Sequence, residues 1–432
     1  MKVYEINKTT GKDFEDKLAK RSLTVNSDYE KTVGGILSDV AARGDEAVFE
    51  YTARFDKWAV DASNVKVTEE EIKEAYSKVP ERLVEVIRKA IANIRSYHEK
   101  QLRTSWMDTK EDGSILGMKI TALESVGVYV PGGKAAYPSS VLMNVIPAEV
   151  AGVKRIVMTT PAGPDGKVYP STLVAAKEAG VTDIFKIGGA QAIAALAYGT
   201  ESIAKVDKIV GPGNVYVALA KKLVYGRVGI DSVAGPSEIL VPADETADYR
   251  FVAADLLSQA EHDEMASAIL VTTSPDLAKK ASEEAERLAL ALERSEIIKK
   301  SLDSFGAVFV AKDMDEAVDM VNRIASEHLE IVTADPFSVM PKIKNAGAIF
   351  LGPWSSEPLG DYFAGPNHVL PTSGTARFFS PLNVDDFVKK SSIIAYTRTG
   401  LENVYRDIVD FAGFEGLTAH ANSISVRFGE GK

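Results

Sequence analysis

The sequence predicts an α/β fold in which two parallel-sheet domains follow a helical N-terminal region. Short apolar strands alternate with helices between residues 126 and 224, and the alternation resumes between residues 268 and 351. Strands separated by helices in this way form parallel sheets that are covered on both faces. The chain has 432 residues, which is more than one hydrophobic core usually holds, so we expect more than one domain.

The first 105 residues are predicted to be mostly helical. Apolar residues recur at helical spacing between residues 29 and 55 and again between residues 69 and 105, where Pro80 separates two helices. His98 lies on the charged part of the second pattern. We therefore expect it to be a solvated surface side chain.

The first sheet is predicted from strands at residues 126–130, 155–159, 183–187 and 208–210. Three of these strands run into glycine-containing turns, which are Pro131-Gly132-Gly133, Gly188-Gly189 and Gly211-Pro212-Gly213. Backbone N–H groups at such turns can bind an anion such as a pyrophosphate, which indicates a nucleotide site. None of the turns has the full G-x-G-x-x-G spacing, and close packing of strand against helix explains the glycines equally well.

The second sheet is predicted from strands at residues 268–272, 307–310, 330–333 and 348–351. Its boundary with the first sheet is predicted near residues 242–244. The tail after Gly374 contains one predicted helical segment, residues 401–409, and little else that could form a core. We expect this tail to pack on another domain or on a second subunit.

The composition argues against a nucleic-acid or membrane partner. Acidic residues outnumber basic residues by 61 to 50, which gives a net charge of −11. The N-terminus lacks the apolar core of a secretory signal, and no apolar run is long enough to span a bilayer. The expected location is the cytoplasm.

Cysteine is absent and only five histidines are present. Any metal ion must therefore be held by histidine, carboxylate or amide groups, and any aldehyde oxidation must proceed without a thiol nucleophile. Four of the five histidines lie between residue 262 and the C-terminus, so we expect proton or metal chemistry in that region.

Four side chains form a candidate metal site. Gln259 and His262 are three residues apart near the end of a predicted helix, so they share one face. Asp361, in a predicted polar loop, and His420, near the C-terminus, would complete a shell of nitrogen and oxygen donors that suits zinc. Spacing alone does not bring these four residues together.

Glu327 and His328 are adjacent, just before a predicted strand. A carboxylate and an imidazole that reach one pocket can work as an acid–base pair. The structural alternative is a histidine that interacts with the C-terminal end of a helix.

Five ordered motifs resemble those of the histidinol dehydrogenase family. They are Gly235-Pro236-Ser237-Glu238-Ile239-Leu240, Leu256-Leu257-Ser258-Gln259-Ala260-Glu261-His262, Ser326-Glu327-His328-Leu329, Gly360-Asp361-Tyr362 with Gly365-Pro366-Asn367-His368-Val369-Leu370-Pro371-Thr372, and Glu415-Gly416-Leu417-Thr418-Ala419-His420. The resemblance extends from the N-terminal helices to the tail, with the motifs in the order of the family.

The resemblance implies that L-histidinol is oxidised through L-histidinaldehyde to L-histidine, the last step of histidine biosynthesis, with reduction of two NAD+. It assigns one zinc per subunit to Gln259, His262, Asp361 and His420, and acid–base catalysis to Glu327 and His328. It assigns contact with the substrate, directly or through the metal, to Ser237, Gln259, His262, His328, Asp361, His368, Glu415 and His420. It assigns NAD contacts to Tyr129, Gln191 and Asn214.

The resemblance also implies two incomplete Rossmann-like domains and a homodimer with shared active sites. The expected division is an N-terminal arm (1–24), a first α/β domain (25–124 with 243–374) that carries most metal and catalytic residues, a second, NAD-binding α/β domain (125–242), and a C-terminal swapped segment (375–432) that packs on the partner subunit.

Two other functions each account for part of the sequence. A zinc hydrolase would use Glu327 to activate metal-bound water, but it gives the glycine turns no role and the sequence has no H-E-x-x-H motif. A binding protein that clasps a small ligand between α/β units leaves the Glu327–His328 pair unexplained.

Overall fold

A computed structural model of the chain describes residues 1–6, 8–23, 27–132 and 136–430. These residues belong to a larger unit, Met1–Gln101 with Leu123–Phe387, and a smaller unit, Leu102–Ala122 with Val388–Lys432. Gly133 of the first predicted glycine turn lies outside the described residues. Among the described residues, no helix combines the length and apolar character that crossing a bilayer requires.

The strands are β1 (Lys2–Glu5), β2 (Trp106–Thr109), β3 (Ile115–Ala122), β4 (Ser125–Tyr129), β5 (Arg155–Thr159), β6 (Asp183–Phe185), β7 (Lys208–Val210), β8 (Gly229–Ile230), β9 (Glu238–Ala243), β10 (Ser267–Thr272), β11 (Gly306–Val310), β12 (His328–Ile331), β13 (Ala348–Leu351) and β14 (Val388–Ala395).

The helices are α1 (Lys8–Leu23), α2 (Ser27–Arg43), α3 (Asp45–Asp56), α4 (Glu69–Lys78), α5 (Glu81–Glu99), α6 (Pro138–Val150), α7 (Pro170–Ala179), α8 (Gly189–Tyr198), α9 (Val215–Val224), α10 (Tyr249–Ala260), α11 (Pro275–Ala289), α12 (Ser295–Phe305), α13 (Met314–Ile324), α14 (Pro336–Val339), α15 (Glu357–Tyr362), α16 (Arg398–Glu402), α17 (Tyr405–Phe414) and α18 (Thr418–Ser425).

The larger unit contains two parallel sheets. One has the strand order β1-β11-β10-β9-β12-β13 and the other the order β6-β5-β4-β7-β8. Successive side chains of β9 point to opposite faces of the six-stranded sheet. Ile239 and Val241 belong to the hydrophobic core on one face, and Leu240 belongs to the core on the other. Burial on both faces explains why these strands are continuous apolar runs. The predicted α/β fold class with two parallel sheets is confirmed.

The structure differs from the predicted division at several points, one being that residues 102–122 group with the C-terminal unit. The boundary between residues 242 and 243 falls inside β9, which pairs with β10 and β12 and therefore belongs to the six-stranded sheet. Helices α2 to α5 pack mainly on α6 to α9 beside the five-stranded sheet, whereas the predicted division groups them with residues 243–374. Their apolar side chains cause this placement, since Val33, Ile36 and Leu37 enter the core that contains α8 and α9.

His98 corrects another prediction. It is fully buried on α5, where Nδ1 lies 2.8 Å from the carbonyl oxygen of Ile94. The buried side chains Ile87 and Ile94 of the same helix share its inward face, which packs on α6. The prediction of a solvated surface histidine is wrong because the charged neighbours of His98 lie on the other faces of the helix.

The smaller unit has an antiparallel sheet with the strand order β14-β3-β2. Helices α16, α17 and α18 follow β14 along the chain. The tail was predicted to contain only one helical segment, so β14 and two further helices are corrections. Strand β14 was missed because exposed lysine and serine residues interrupt its apolar pattern.

Candidate active site

Glu327 and His328 lie where β12 begins, beside the first residue of β9. Ala325 adopts a left-handed conformation (φ 55°) that ends α13 and turns the chain into β12. Both side chains are buried, and both are held by the peptide groups of Glu238. The Glu238 N–H donates to Glu327 Oε2 at 2.9 Å, and His328 Nδ1 lies 3.0 Å from the Glu238 carbonyl oxygen. A carbonyl can only accept, so Nδ1 of His328 carries a proton and Nε2 is directed elsewhere.

Each of these two side chains shifts the pKa of the other. Burial raises the pKa of Glu327 to about 8, although the neighbouring His328 charge opposes the shift. Burial lowers the pKa of His328, but the negative charges of Glu327 and Asp361 outweigh it and raise the value to about 10. The imidazole is therefore protonated, and it lies between the carboxyl groups of Glu327 and Asp361.

Asp361 connects this pair to His368. Its Oδ1 lies 3.7 Å from His328 Nε2 and 3.8 Å from His368 Nδ1. Burial raises the pKa of Asp361, but its interactions with the nearby His328 and His368 oppose this shift and lower the value to about 2. Asp361 is thus an anion at neutral pH. It lies in α15 and not in the predicted loop.

Gln259 and His262 approach the same region from α10. Gln259 is fully buried, and neither atom of its amide has a hydrogen-bond partner among the described residues. Helix α10 ends at Ala260, so His262 lies in the turn that follows and opens to the cleft described below. The side chain of His262 is exposed to the cleft, but desolvation by the surrounding walls lowers its pKa, which favours the neutral, metal-binding imidazole. Its Nδ1 lies 3.3 Å from Ser237 Oγ.

Glu357 was not predicted from the sequence. Single ligand atoms of His328, Glu357 and Asp361 lie within 4.8 Å of one another. Burial and the charge of Asp361 raise the pKa of Glu357 to about 8, so its carboxyl group can donate to Asp361 at neutral pH. Ser258 Oγ donates to Glu357 at 2.9 Å. The signal in the sequence was the four-residue spacing of Glu357 and Asp361, which places both on one helix face.

Two residues of the predicted metal and substrate set belong to the smaller unit. Glu415 directly follows α17, and His420 lies in α18. Both are exposed within the chain. The larger unit thus supplies three of the four predicted zinc ligands, Gln259, His262 and Asp361.

The predicted NAD residues lie at the five-stranded sheet. Tyr129 ends β4, Gln191 lies in the first turn of α8, and Asn214 caps α9 by accepting from the backbone N–H groups of Tyr216 and Val217. Gln191 is fully buried, and both atoms of its side-chain amide lack hydrogen-bond partners in the described structure.

The backbone amides of two glycine turns are engaged within the protein. Gly189 N–H donates to the Tyr129 hydroxyl at 3.2 Å, and Gly211 N–H donates to Asp231 at 2.8 Å. A Cβ atom on Gly211, where φ is 111°, would lie 2.1 Å from the carbonyl oxygen of Tyr129. Close packing therefore explains these glycines, and their amides are not the free pyrophosphate donors that the sequence suggested.

One cleft of 2710 Å³ joins these groups within the larger unit. Its lining includes nine of the predicted site residues: Tyr129, Gln191, Asn214, Ser237, His262, Glu327, His328, Asp361 and His368. Pockets for a single small ligand typically measure about 300–1,000 Å³, so the cleft has room for a dinucleotide beside a small substrate.

Comparison with known proteins identifies the family. Residues 19–428 match the histidinol dehydrogenase family. The chain is 58% identical to histidinol dehydrogenase of Bacillus subtilis over 409 residues, covering 94% of this chain and 95% of that protein. It is 55% identical to the Clostridium acetobutylicum enzyme over 428 residues, covering 99% of each.

A solved structure agrees in fold along nearly the whole chain. The crystal structure of histidinol dehydrogenase from Elizabethkingia anophelis superimposes with a TM-score of 0.93 at 36% identity, covering 99% of this chain and 98% of that one. The family match, these two relatives and this solved structure show that the chain belongs to the histidinol dehydrogenase family.

Proposed function

We propose that the protein is a zinc-dependent enzyme that oxidises L-histidinol through L-histidinaldehyde to L-histidine while reducing two NAD+. The observation that carries the proposal is the shared cleft. Its lining includes the Glu327–His328 pair, His262 and Asp361, and the proposed NAD residues Tyr129, Gln191 and Asn214. A cytoplasmic homodimer without nucleic-acid or membrane partners is part of the proposal.

The donor set fits zinc. Gln259 offers a buried amide without a partner in the described residues, His262 a neutral imidazole, and Asp361 an anionic carboxylate. We propose that His420 of the partner subunit is the fourth ligand, so that an isolated monomer lacks a complete site. Bound zinc would orient the amine and imidazole of histidinol and stabilise developing negative charge.

Substrate contacts are proposed for Ser237, His368 and Glu415. Ser237 and His368 lie beside two of the proposed ligands, since Ser237 Oγ is 3.3 Å from His262 and His368 Nδ1 is 3.1 Å from the carbonyl oxygen of Asp361. Glu415 is proposed to reach the substrate from the neighbouring subunit, together with His420.

The first oxidation needs a base for the histidinol hydroxyl. His328 can take that proton through Nε2 while hydride passes to NAD+, because the Glu238 carbonyl already fixes its Nδ1–H. The high pKa of His328 depends on the charges of Glu327 and Asp361. If Asp361 bound the metal, its electrostatic interaction with His328 would weaken. The pKa of the imidazole would then fall, and Nε2 would be free to accept a proton from the substrate.

The second oxidation adds an oxygen atom from water. Glu327, held by the Glu238 N–H, is the proposed base that takes a proton from water as it attacks the aldehyde carbon. Hydride then passes from the resulting hydrate to a second NAD+, and the carboxylic acid is released. The absence of cysteine is consistent with this route, because no thiol can form a covalent adduct with the aldehyde.

NAD is expected to bind weakly. The amides of Gly189 and Gly211 are engaged within the protein, and the G-x-G-x-x-G spacing is missing. We expect a dissociation constant for NAD+ weaker than about 1 μM, which allows NADH to exchange for NAD+ between steps. Titration calorimetry of the zinc-loaded protein measures it, and binding tighter than about 1 μM contradicts the prediction.

NADH formation tests the proposed function against the hydrolase and the binding protein. Zinc-loaded protein mixed with L-histidinol and NAD+ is expected to produce the absorbance of NADH, whereas protein treated with a chelator is not. No NADH from the metal-loaded protein would exclude the dehydrogenase.

A further inference from the structure

Glu238 supports both members of the catalytic pair through its backbone. Its N–H donates to Glu327 at 2.9 Å, and its carbonyl accepts from His328 Nδ1 at 3.0 Å. Strands β9 and β12 run in parallel with His328 beside Ile239, so the peptide groups of Glu238 lie at the start of the β9–β12 pairing. A shift of this one residue would therefore displace Glu327 and His328 together.

The side chain of Glu238 is buried and requires a counter-charge. It is 4% exposed, and it forms an ion pair with Arg21 of α1, which is also 4% exposed. A buried carboxylate that loses its partner is strongly unfavourable, so it becomes protonated or moves toward water. Either response alters the segment that holds Glu327 and His328.

Arg21 also contacts the chain beyond the predicted metal ligands. Its Nη1 donates to the carbonyl oxygen of Met265 at 2.8 Å, in the turn that follows His262. Its guanidinium group lies 5.4 Å from the centre of the Phe305 ring. The Arg21 side chain thus connects α1 with the start of β9 and with the turn after α10. It does so through a planar guanidinium group, whose geometry lysine does not reproduce.

We propose that Arg21 is a positioning residue that fixes Glu238 and, through its peptide groups, orients Glu327 and His328. The role assigned to Arg21 rests on the proposed function, because it takes Glu327 and His328 as the acid–base pair. Arg21 itself need not touch the substrate. Misplacing catalytic groups by about 1 Å can lower the rate about 100-fold.

The test compares Arg21→Met with Lys17→Met in the full-length, zinc-loaded protein. Lys17 is the matched control, because it lies one turn earlier on α1 and its Nζ lies 5.3 Å from the same Phe305 ring. Arg21→Met is expected to lower kcat about 10–100-fold, with zinc content and the KM for NAD+ within about twofold of the parent. Lys17→Met is expected to retain the parent kcat.

A spectroscopic readout separates positioning from general destabilisation. Imidazole N–H signals of nitrogen-15-labelled histidine report the hydrogen bond from His328 to Glu238, and the bond from His98 to Ile94 serves as an internal standard. Arg21→Met is expected to shift or remove the His328 signal and to leave that of His98 unchanged. Arg21→Lys keeps the charge and is expected to be intermediate in both signal and kcat; it also serves as the test variant if Arg21→Met does not fold.

A His328 signal that stays in place in the Arg21 variant overturns the proposal, whatever happens to kcat. Loss of zinc and of all histidine signals together also overturns it, because the role of Arg21 would then be general stability. If the parent protein forms no NADH from histidinol, the proposed function fails, and the His328 signal still decides whether Arg21 orients this side chain.

Discussion

Glu327→Gln is expected to keep its zinc and to lower kcat by about 10²–10⁴-fold, the usual contribution of a general base. Glutamine preserves the acceptor for the Glu238 N–H, so the local geometry should survive. It cannot take a proton from water, and it removes the negative charge that helps to raise the pKa of His328. Steady-state kinetics and zinc content per subunit measure the two effects separately.

Glu296→Gln is the matched control for this substitution. Glu296 is exposed in the first turn of α12, so the same chemical change is expected to leave both zinc content and kcat near those of the parent. If Glu327→Gln loses zinc as readily as a ligand variant does, Glu327 is a metal ligand, and its assignment as the base that activates water is wrong.

His262→Asn is expected to lose both zinc and histidinol oxidation. The change removes a ring nitrogen that would coordinate the metal, and the amide of asparagine is a weaker zinc donor than imidazole. Removing even a group that only supports a ligand typically weakens metal binding about 10–100-fold, so we expect a loss of at least 100-fold for the ligand itself. Competition with a chromophoric chelator gives the zinc affinity directly.

Glu264→Gln serves as the control for the same segment. Glu264 is exposed and forms an ion pair with Lys300 at 2.7 Å, so its loss is expected to leave zinc affinity unchanged. Full zinc binding by His262→Asn would contradict the proposed ligand set and favour the cluster of His328, Glu357 and Asp361 as the metal site.

The sequence predicted features that depend on local pattern. The alternation of apolar strands and helices correctly indicated both parallel sheets, and Glu327 and His328 were found because they are adjacent. The strand β9 was missed because the predicted domain boundary falls within its residues, Glu238–Ala243. Its role depends on pairing with β10 and β12, which no local pattern reveals.

The unpredicted parts of the site depend on long-range contacts. Glu238 acts through peptide groups that any residue possesses, and the Arg21–Glu238 ion pair joins residues 217 positions apart. The prediction for His98 was wrong because its neighbours in the sequence are charged, whereas its own side chain lies on the buried face of the helix. In each case the sequence gives the type of residue, but the groups that contact it belong to elements distant along the chain.

The number of NADH molecules formed per histidinol consumed tests the central claim most directly, because it depends on substrate and four-electron chemistry together. With limiting L-histidinol and excess NAD+, zinc-loaded protein is expected to form two NADH for each histidinol, with L-histidine as the product. One NADH for each histidinol with histidinaldehyde accumulating, or histidinol consumption without NADH, would contradict the proposed reaction.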